Sequence, residues 1–140
     1  MQRLHWFIVL LVLLLGGVAF PVHAQAQTVV WNGAYFNNIY LIGDAAHTET
    51  TGSISYNWGA GSPAPGVNDD NFSARWTSRP IFQAGTYRFY LQADDAVGLQ
   101  VDFQTVLSTF DTNQVGDLLT VDVPLSAGPH KIQVDYRENG

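Results

Sequence analysis

Two adjacent carboxylates, Asp94 and Asp95, are the residues of this chain whose type and spacing suggest chemistry. They interrupt the segment YLQADDAVGLQVD (90–102), in which apolar and polar residues otherwise alternate. Successive side chains of an extended strand point to opposite faces, so both carboxylates can bind one ion only where the chain turns sharply. Ca²⁺ takes six to eight oxygen ligands, so other loops and water would have to complete its shell. The alternative is a solvated turn, because Asp is common in turns.

A second carboxylate pair, Asp69 and Asp70, lies in the Gly/Pro-rich loop GAGSPAPGVNDDN (59–71). The sequence shows no second group of ligands near it. We therefore interpret this pair as turn and solubility residues rather than as a Ca²⁺ site.

The patterns of common enzymes are missing from the sequence. The chain has no Cys, and beyond the first 24 residues only His47, in a polar loop, and His130 remain, which do not make a zinc site. No serine lies in a G-x-S-x-G elbow or a comparable nucleophile context, and no nucleotide-binding glycine loop occurs. Adjacent Asp94 and Asp95 cannot flank a glycosidic bond from opposite sides. We predict that the chain is not an enzyme.

Aromatic side chains are the other candidates for ligand contacts, since the apolar face of a sugar ring packs on an aromatic plane. Tyr90 falls on the polar phase of its strand and is therefore expected at the surface. Trp58 falls on an apolar phase, so a core position competes with a ligand-binding role. Tyr40 and Trp31 are further candidates, each with the same structural alternative.

A period of two residues runs through most of the chain and predicts antiparallel strands with one buried face. Predicted strands include Ile54–Trp58, Phe72–Trp76, Thr86–Ala93, Val97–Phe103, Val121–Leu125 and Ile132–Tyr136. No segment sustains a period of 3.6, so little helix is expected. Arg75 lies between buried positions and is expected to pair with a carboxylate. Several short strands separated by turns predict an all-β sandwich.

The first 24 residues have the layout of a secretory signal peptide. Arg3 precedes the apolar run WFIVLLVLLLGGVAF (6–20), and small residues follow, so that cleavage is expected after Ala24 or Ala26. The run is shorter than the roughly 20 residues that span a bilayer, which argues against a transmembrane anchor. The predicted location is secreted or at the cell surface.

The net charge of the chain limits the classes of molecule that it can bind. It is −6 at pH 7, so the surface repels nucleic-acid phosphates and anionic lipids, while neutral sugars and divalent cations remain compatible. We expect no nucleic-acid partner and no membrane contact beyond the signal peptide.

Five segments in a fixed order resemble the PA-14 domain family, which fungal flocculins and adhesins share with a bacterial toxin. They are WNGAYFNN (31–38), ISYNWGAGSPAPGV (54–67), FSARW (72–76), AGTYRFYLQADDAVGLQVD (84–102) and AGPHKIQVDYRENG (127–140). The resemblance implies an antiparallel β-sandwich that is one module among several. In sugar-binding members, an Asp pair joined by a cis peptide binds Ca²⁺, and the ion binds sugar hydroxyls. Asp94 and Asp95 match that pair, and Glu138 and Asn139 begin the loop that would complete the site.

We therefore expect residues 25–140 to form a PA-14-like β-sandwich domain, truncated at its C-terminus, of a longer protein. The predicted function is Ca²⁺-dependent binding of glycans or cell-surface polysaccharide, beside neighbouring domains of the same polypeptide. The alternative is a non-catalytic structural or protein-interaction module without its own ligand. A cis bond at Asp94-Asp95 with further oxygens nearby would favour the first function, and splayed carboxylates the second.

Overall fold

The computed structural model describes residues 11–15, 28–112 and 115–140, and within them all regular secondary structure is β-strand. No helix in this part of the chain is long and apolar enough to cross a membrane. The strands are β1 (Leu11–Leu15), β2 (Trp31–Phe36), β3 (His47–Thr51), β4 (Phe72–Ser78), β5 (Ile81–Phe82), β6 (Gly85–Leu91), β7 (Ala96–Val101), β8 (Gln104–Ser108), β9 (Leu119–Leu125), β10 (Gly128–Pro129) and β11 (Ile132–Glu138).

The strands form two main antiparallel sheets and a short pair. The larger sheet has the order β3-β2-β4-β11-β7-β8, the smaller one the order β1-β6-β9, and β5 pairs with β10. Because β11 lies between β4 and β7, the end of the chain is at the centre of the larger sheet. The residues that follow β11 are thereby placed beside the segments that lead into β7 and into β4.

One hydrophobic core lies between the two main sheets. Trp76 and Val134 from the larger sheet and Phe89 from the smaller one are fully buried in the same cluster. Gly33 permits the closest approach in this core, because a Cβ there would lie 2.9 Å from the indole of Trp76. The predicted antiparallel β-sandwich is therefore the arrangement that the described residues adopt.

Two predicted strands differ from the observed elements. Residues 52–58 form an extended loop without ladder hydrogen bonds, and the alternation there reflects ring packing, since Tyr56 stacks between Trp58 and Trp76 at centroid distances of 5.0 and 5.6 Å. The strand predicted for Val97–Phe103 ends at Val101, because residues 102 and 103 form the two-residue turn into β8.

His47 also differs from its prediction, which placed it in a polar loop. It begins strand β3, at the outer edge of the larger sheet, where it pairs with Tyr35. The segment HTETT contains no large apolar residue, so its sequence lacks the usual signal of a buried strand.

Strand β1 lies inside the segment predicted as a signal peptide. Leu11–Leu15 pairs antiparallel with Thr86–Tyr90 of β6 and satisfies the backbone groups at that edge of the smaller sheet. The cleavage positions Ala24 and Ala26 lie outside the described residues.

Candidate functional site

Asp94 and Asp95 form a corner between β6 and β7, and the peptide bond that joins them is cis. The hydroxyl of Tyr136, on the adjacent strand β11, lies 2.5 Å from the carbonyl oxygen of Asp94 and 2.7 Å from Oε2 of Glu138. Burial, and then the hydrogen bond to Glu138, raise the pKa of Tyr136, so its hydroxyl stays protonated. Tyr136 thereby links the corner to the end of β11.

The end of β11 also contacts the second carboxylate of the corner. The backbone N–H of Asn139 donates to Oδ2 of Asp95 at 2.6 Å. The backbone N–H of Gly140 lies 3.2 Å from Oε1 of the buried Glu138. The structure therefore brings Asp94, Asp95, Glu138 and Asn139 together, and we call these four residues the acidic corner.

A cavity of about 10 Å³ adjoins this corner, with room for about one water molecule. Trp58 lines it together with Asp94 and Glu138, so this aromatic candidate both packs against the core and borders the predicted site. Asp69 lines it as well. The sequence predicts a turn residue at Asp69, and the fold places its side chain beside the same cavity as Asp94 and Glu138.

Tyr90, the other aromatic candidate, is elsewhere. It lies half-buried on β6, opposite Thr120 of β9 and Leu11 of β1, in the smaller sheet. The described structure gives it no contact with the acidic corner.

The donor set of the acidic corner fits a hard cation in part. Carboxylate and amide oxygens are the ligands that Ca²⁺ prefers. Within residues 28–112 and 115–140, no three His, Cys, Asp or Glu side chains are grouped as a metal cluster. Asp94 and Asp95 would therefore hold such an ion together with amide and carbonyl oxygens and water, which leaves positions for a ligand's hydroxyl groups.

A larger groove of about 490 Å³ lies along β2, β3 and β4 of the larger sheet, away from this corner. Its charged lining groups already have partners. Arg75 pairs with Asp135 through two hydrogen bonds of 2.7 and 2.8 Å, which confirms the carboxylate partner expected for that arginine. Glu49 accepts hydrogen bonds from side chains of the core. The charged groups that line the groove are therefore engaged by other side chains of the protein.

Sequence analysis missed a serine, a histidine and an aspartate that meet at the opposite end of the molecule. Nδ1 of His130 lies 2.6 Å from Oδ2 of Asp102, and Nε2 lies 3.2 Å from the hydroxyl and 3.0 Å from the carbonyl oxygen of Ser126. The hydrogen bond to Asp102 raises the pKa of His130 and lowers that of Asp102. Spacing along the chain could not show this cluster, since the histidine and aspartate are 28 residues apart.

Comparison with known proteins gives the following similarities. Residues 26–140 match the PA14 domain family. Over 72 residues, the chain is 35% identical to the protein named anti-sigma-I factor RsgI3 of Acetivibrio thermocellus, covering 50% of this chain and 11% of that protein.

Solved structures resemble the fold over most of the chain. One named anti-sigma factor domain-containing protein has a TM-score of 0.69 and 27% identity over 80% of this chain and 38% of its own. Another, from Clostridium clariflavum, has a TM-score of 0.67 and 26% identity over 87% of this chain and 44% of its own. A β-glucosidase from Kluyveromyces marxianus, with a TM-score of 0.60 and 14% identity over 76% of this chain and 14% of its own, shares the fold alone. The chain thus spans less than half the length of each of these proteins.

Proposed function

Because the chain belongs to the PA14 domain family, we propose that it is a non-catalytic recognition module within a larger regulatory protein. The relatives that carry the name anti-sigma factor are longer than this chain, and the chain matches only one part of each. This supports the role of one module, with a sensing function, in a regulatory protein. A regulatory protein needs such a part to bind a signal, while other parts respond to it. The predicted signal peptide supports a position outside the cell or at its surface.

The contacts of His130 support a non-catalytic role. Both ring nitrogens have acceptors, the carboxylate of Asp102 and the carbonyl oxygen of Ser126. When both nitrogens donate, the ring is an imidazolium, which has no lone pair with which to accept a proton from a serine. In that protonation state Ser126, His130 and Asp102 hold loops together and do not activate a nucleophile.

The convergence of ligand-type side chains at the acidic corner is the observation that carries the recognition role. Three segments that are far apart in sequence bring carboxylates, the indole of Trp58 and the backbone of Asn139 to one end of the sandwich. Loops on a rigid scaffold are where binding residues concentrate.

Ca²⁺-dependent carbohydrate binding is the specific form of recognition that the acidic corner favours. Asp94 and Asp95 would hold the ion, and Asn139 and Glu138 would add oxygens or orient the carboxylates. When bound, Ca²⁺ supplies open coordination positions for the hydroxyl groups of a sugar. Trp58 lies beside these carboxylates and offers an apolar ring edge to the same ligand.

Thermal unfolding with added CaCl₂ tests the calcium site. At one hundred times the dissociation constant, the ion should stabilise the chain by about 2.7 kcal/mol. Asp94→Asn should abolish the shift in melting temperature, whereas Asp117→Asn, in an exposed loop, should leave it unchanged. A melting temperature that does not respond to millimolar Ca²⁺ contradicts the calcium site.

Binding of soluble polysaccharides, measured with and without a chelator, tests recognition itself. The calcium form predicts binding that chelator and Asp94→Asn both remove. Binding that survives chelator would keep the recognition role and remove calcium from it. If no polysaccharide binds, the module recognises another class of ligand or acts as an interaction domain.

A further inference from the structure

Arg137 takes part in none of the ion pairs among the described residues, although the chain is acidic. It lies on the outer face of β11, opposite Ser73 of β4 and Ala96 of β7. Its Nε is buried and has no hydrogen-bond partner, and no ion pair within residues 28–112 and 115–140 includes it. A guanidinium group that forms no ion pair within these residues can pair with a carboxylate of another molecule.

The ring of Phe110 lies against the guanidinium group of Arg137. The central carbon of the guanidinium lies 3.9 Å from the centre of the Phe110 ring. The ring itself lies close over Gly98 of β7, where a Cβ would come within 3.4 Å of it. An arginine fixed by stacking keeps its planar fork of donors available, and this fork matches a carboxylate.

Two large apolar side chains project into solvent from the loop between β2 and β3. Tyr40 is 64% exposed and Ile42 is 63% exposed. Asn38 holds both in place, because its side chain accepts from the N–H of Tyr40 and donates to the carbonyl oxygen of Ile42, each at 2.9 Å. Leu41 between them has a φ of 58°, a conformation that non-glycine residues adopt rarely and often at functional sites.

This loop lies next to Arg137. The backbone N–H of Leu41 donates to the hydroxyl of Ser73 at 3.2 Å, and that hydroxyl donates to the carbonyl oxygen of Asn38 at 2.6 Å. Ser73 is the cross-strand neighbour of Arg137, and neighbouring strands are about 4.8 Å apart. The fixed loop and the stacked arginine therefore belong to one surface.

We propose that Tyr40, Ile42, Phe110 and Arg137 form a docking surface for another protein, and we call it the Arg137 patch. The partner's contact segment carries one Asp or Glu that pairs with Arg137, among apolar side chains that cover Tyr40 and Ile42. Tyrosine and arginine are the residue types that contribute most to protein interfaces. This surface goes beyond the proposed function, because it requires neither Ca²⁺ nor a sugar.

The adjoining acidic corner limits the charge of the partner. Ala96, the cross-strand neighbour of Arg137, directly follows Asp94 and Asp95. A segment with several carboxylates would be repelled by them, whereas a single carboxylate can approach the arginine. The patch therefore selects an isolated acidic residue in an apolar segment, not an acidic stretch.

A phage-displayed library of random twelve-residue peptides, selected on the full chain, tests the patch. The expected consensus is one Asp or Glu flanked by aliphatic or aromatic residues. Synthetic consensus peptide, measured by fluorescence anisotropy, should bind Arg137→Gln about tenfold or more weakly, as the loss of a bidentate charged pair predicts. Tyr40→Ser should also weaken binding, while added chelator and Arg79→Gln, at an exposed arginine outside the patch, should not.

Several outcomes would overturn the proposal. They are failure to select any peptide, a consensus without a carboxylate, tighter binding of a polyacidic peptide, and affinity that is unchanged in Arg137→Gln and Tyr40→Ser. Sedimentation that shows a dimer lost in Arg137→Gln would mean that a second copy occupies the patch. Ile42→Ser, in the loop and outside the sheet, provides a second variant if Arg137→Gln unfolds.

Discussion

The carboxylate of Glu49 points from an edge strand towards the core and is held there by hydrogen bonds. It lies on the inward face of edge strand β3, and its Oε1 lies 2.6 Å from the hydroxyl of Tyr35, 2.5 Å from that of Tyr56 and 3.3 Å from Nε1 of Trp76. Burial opposes its charge, but the three donors outweigh burial and keep the pKa of Glu49 below its usual value. An inward-pointing charge on an edge strand discourages pairing with another chain.

Replacing Glu49 by leucine should lower the free energy of unfolding by about 1–3 kcal/mol, because buried donors of Tyr35 and Trp76 lose their acceptor. Glu49→Gln retains an acceptor oxygen and should cost less. Since the pKa of Glu49 is depressed, its charge stabilises the fold above the usual value of 4.5, and the benefit is lost as pH falls through the folded pKa. Urea unfolding at pH 7 and pH 3 measures both effects, and equal costs at pH 7 for the two variants would contradict this account.

At the scale of elements, two ion pairs of the same geometry join neighbouring strands in different surroundings. Arg75 of β4 and Asp135 of β11 meet in the middle of the larger sheet, where the carboxylate is 6% exposed. Arg88 of β6 and Asp122 of β9 meet on the smaller sheet, where the two side chains are 39% and 40% exposed. Water screens the second pair far more than the first.

A double-mutant cycle with Arg75→Ala and Asp135→Ala should give a coupling free energy of about 1 kcal/mol, a value reduced because Arg75 itself is partly exposed. The same cycle with Arg88→Ala and Asp122→Ala provides the matched control and should give a smaller coupling. Unfolding in urea at 0.05 and 0.5 M NaCl measures both. A larger coupling for the exposed pair would contradict the role of burial.

At the scale of the whole molecule, His130 links three turns of the sandwich, of which one is its own turn between β10 and β11. Its ring bridges Asp102, in the turn between β7 and β8, and Ser126, in the turn between β9 and β10. Asp102 also accepts from the N–H of Lys131 at 2.9 Å, and its own N–H donates to the carbonyl oxygen of Lys131. These bonds close the end of the sandwich opposite to the acidic corner.

The stability gained from His130 should depend on pH. Its pKa is raised in the folded chain, so its contribution is complete below the usual value of 6.5 and is lost as pH rises through the folded pKa. His130→Gln should therefore lower the melting temperature more at pH 6 than at pH 9. Asp102→Asn should show the same pH dependence, and a penalty that is equal at both pH values would show that His130 contributes by packing alone.

The sequence by itself determined the class of fold and the position of the acidic corner. Alternation of apolar and polar residues is a local property, and it predicted most of the strands and the turn at Asp94-Asp95. It failed for residues 52–58, where rings pack without a ladder, and for β3, which has no apolar face.

Only the tertiary structure decided which residues share a site. Asp95 and Asn139 are 44 residues apart, and the order of strands in the larger sheet places them in contact. The pairing of β4 with β11 places Ser73 beside Arg137, and the loop before β4 brings Trp58 and Asp69 to the acidic corner. Local patterns carry no information on register between distant strands, since that depends on packing across the whole core.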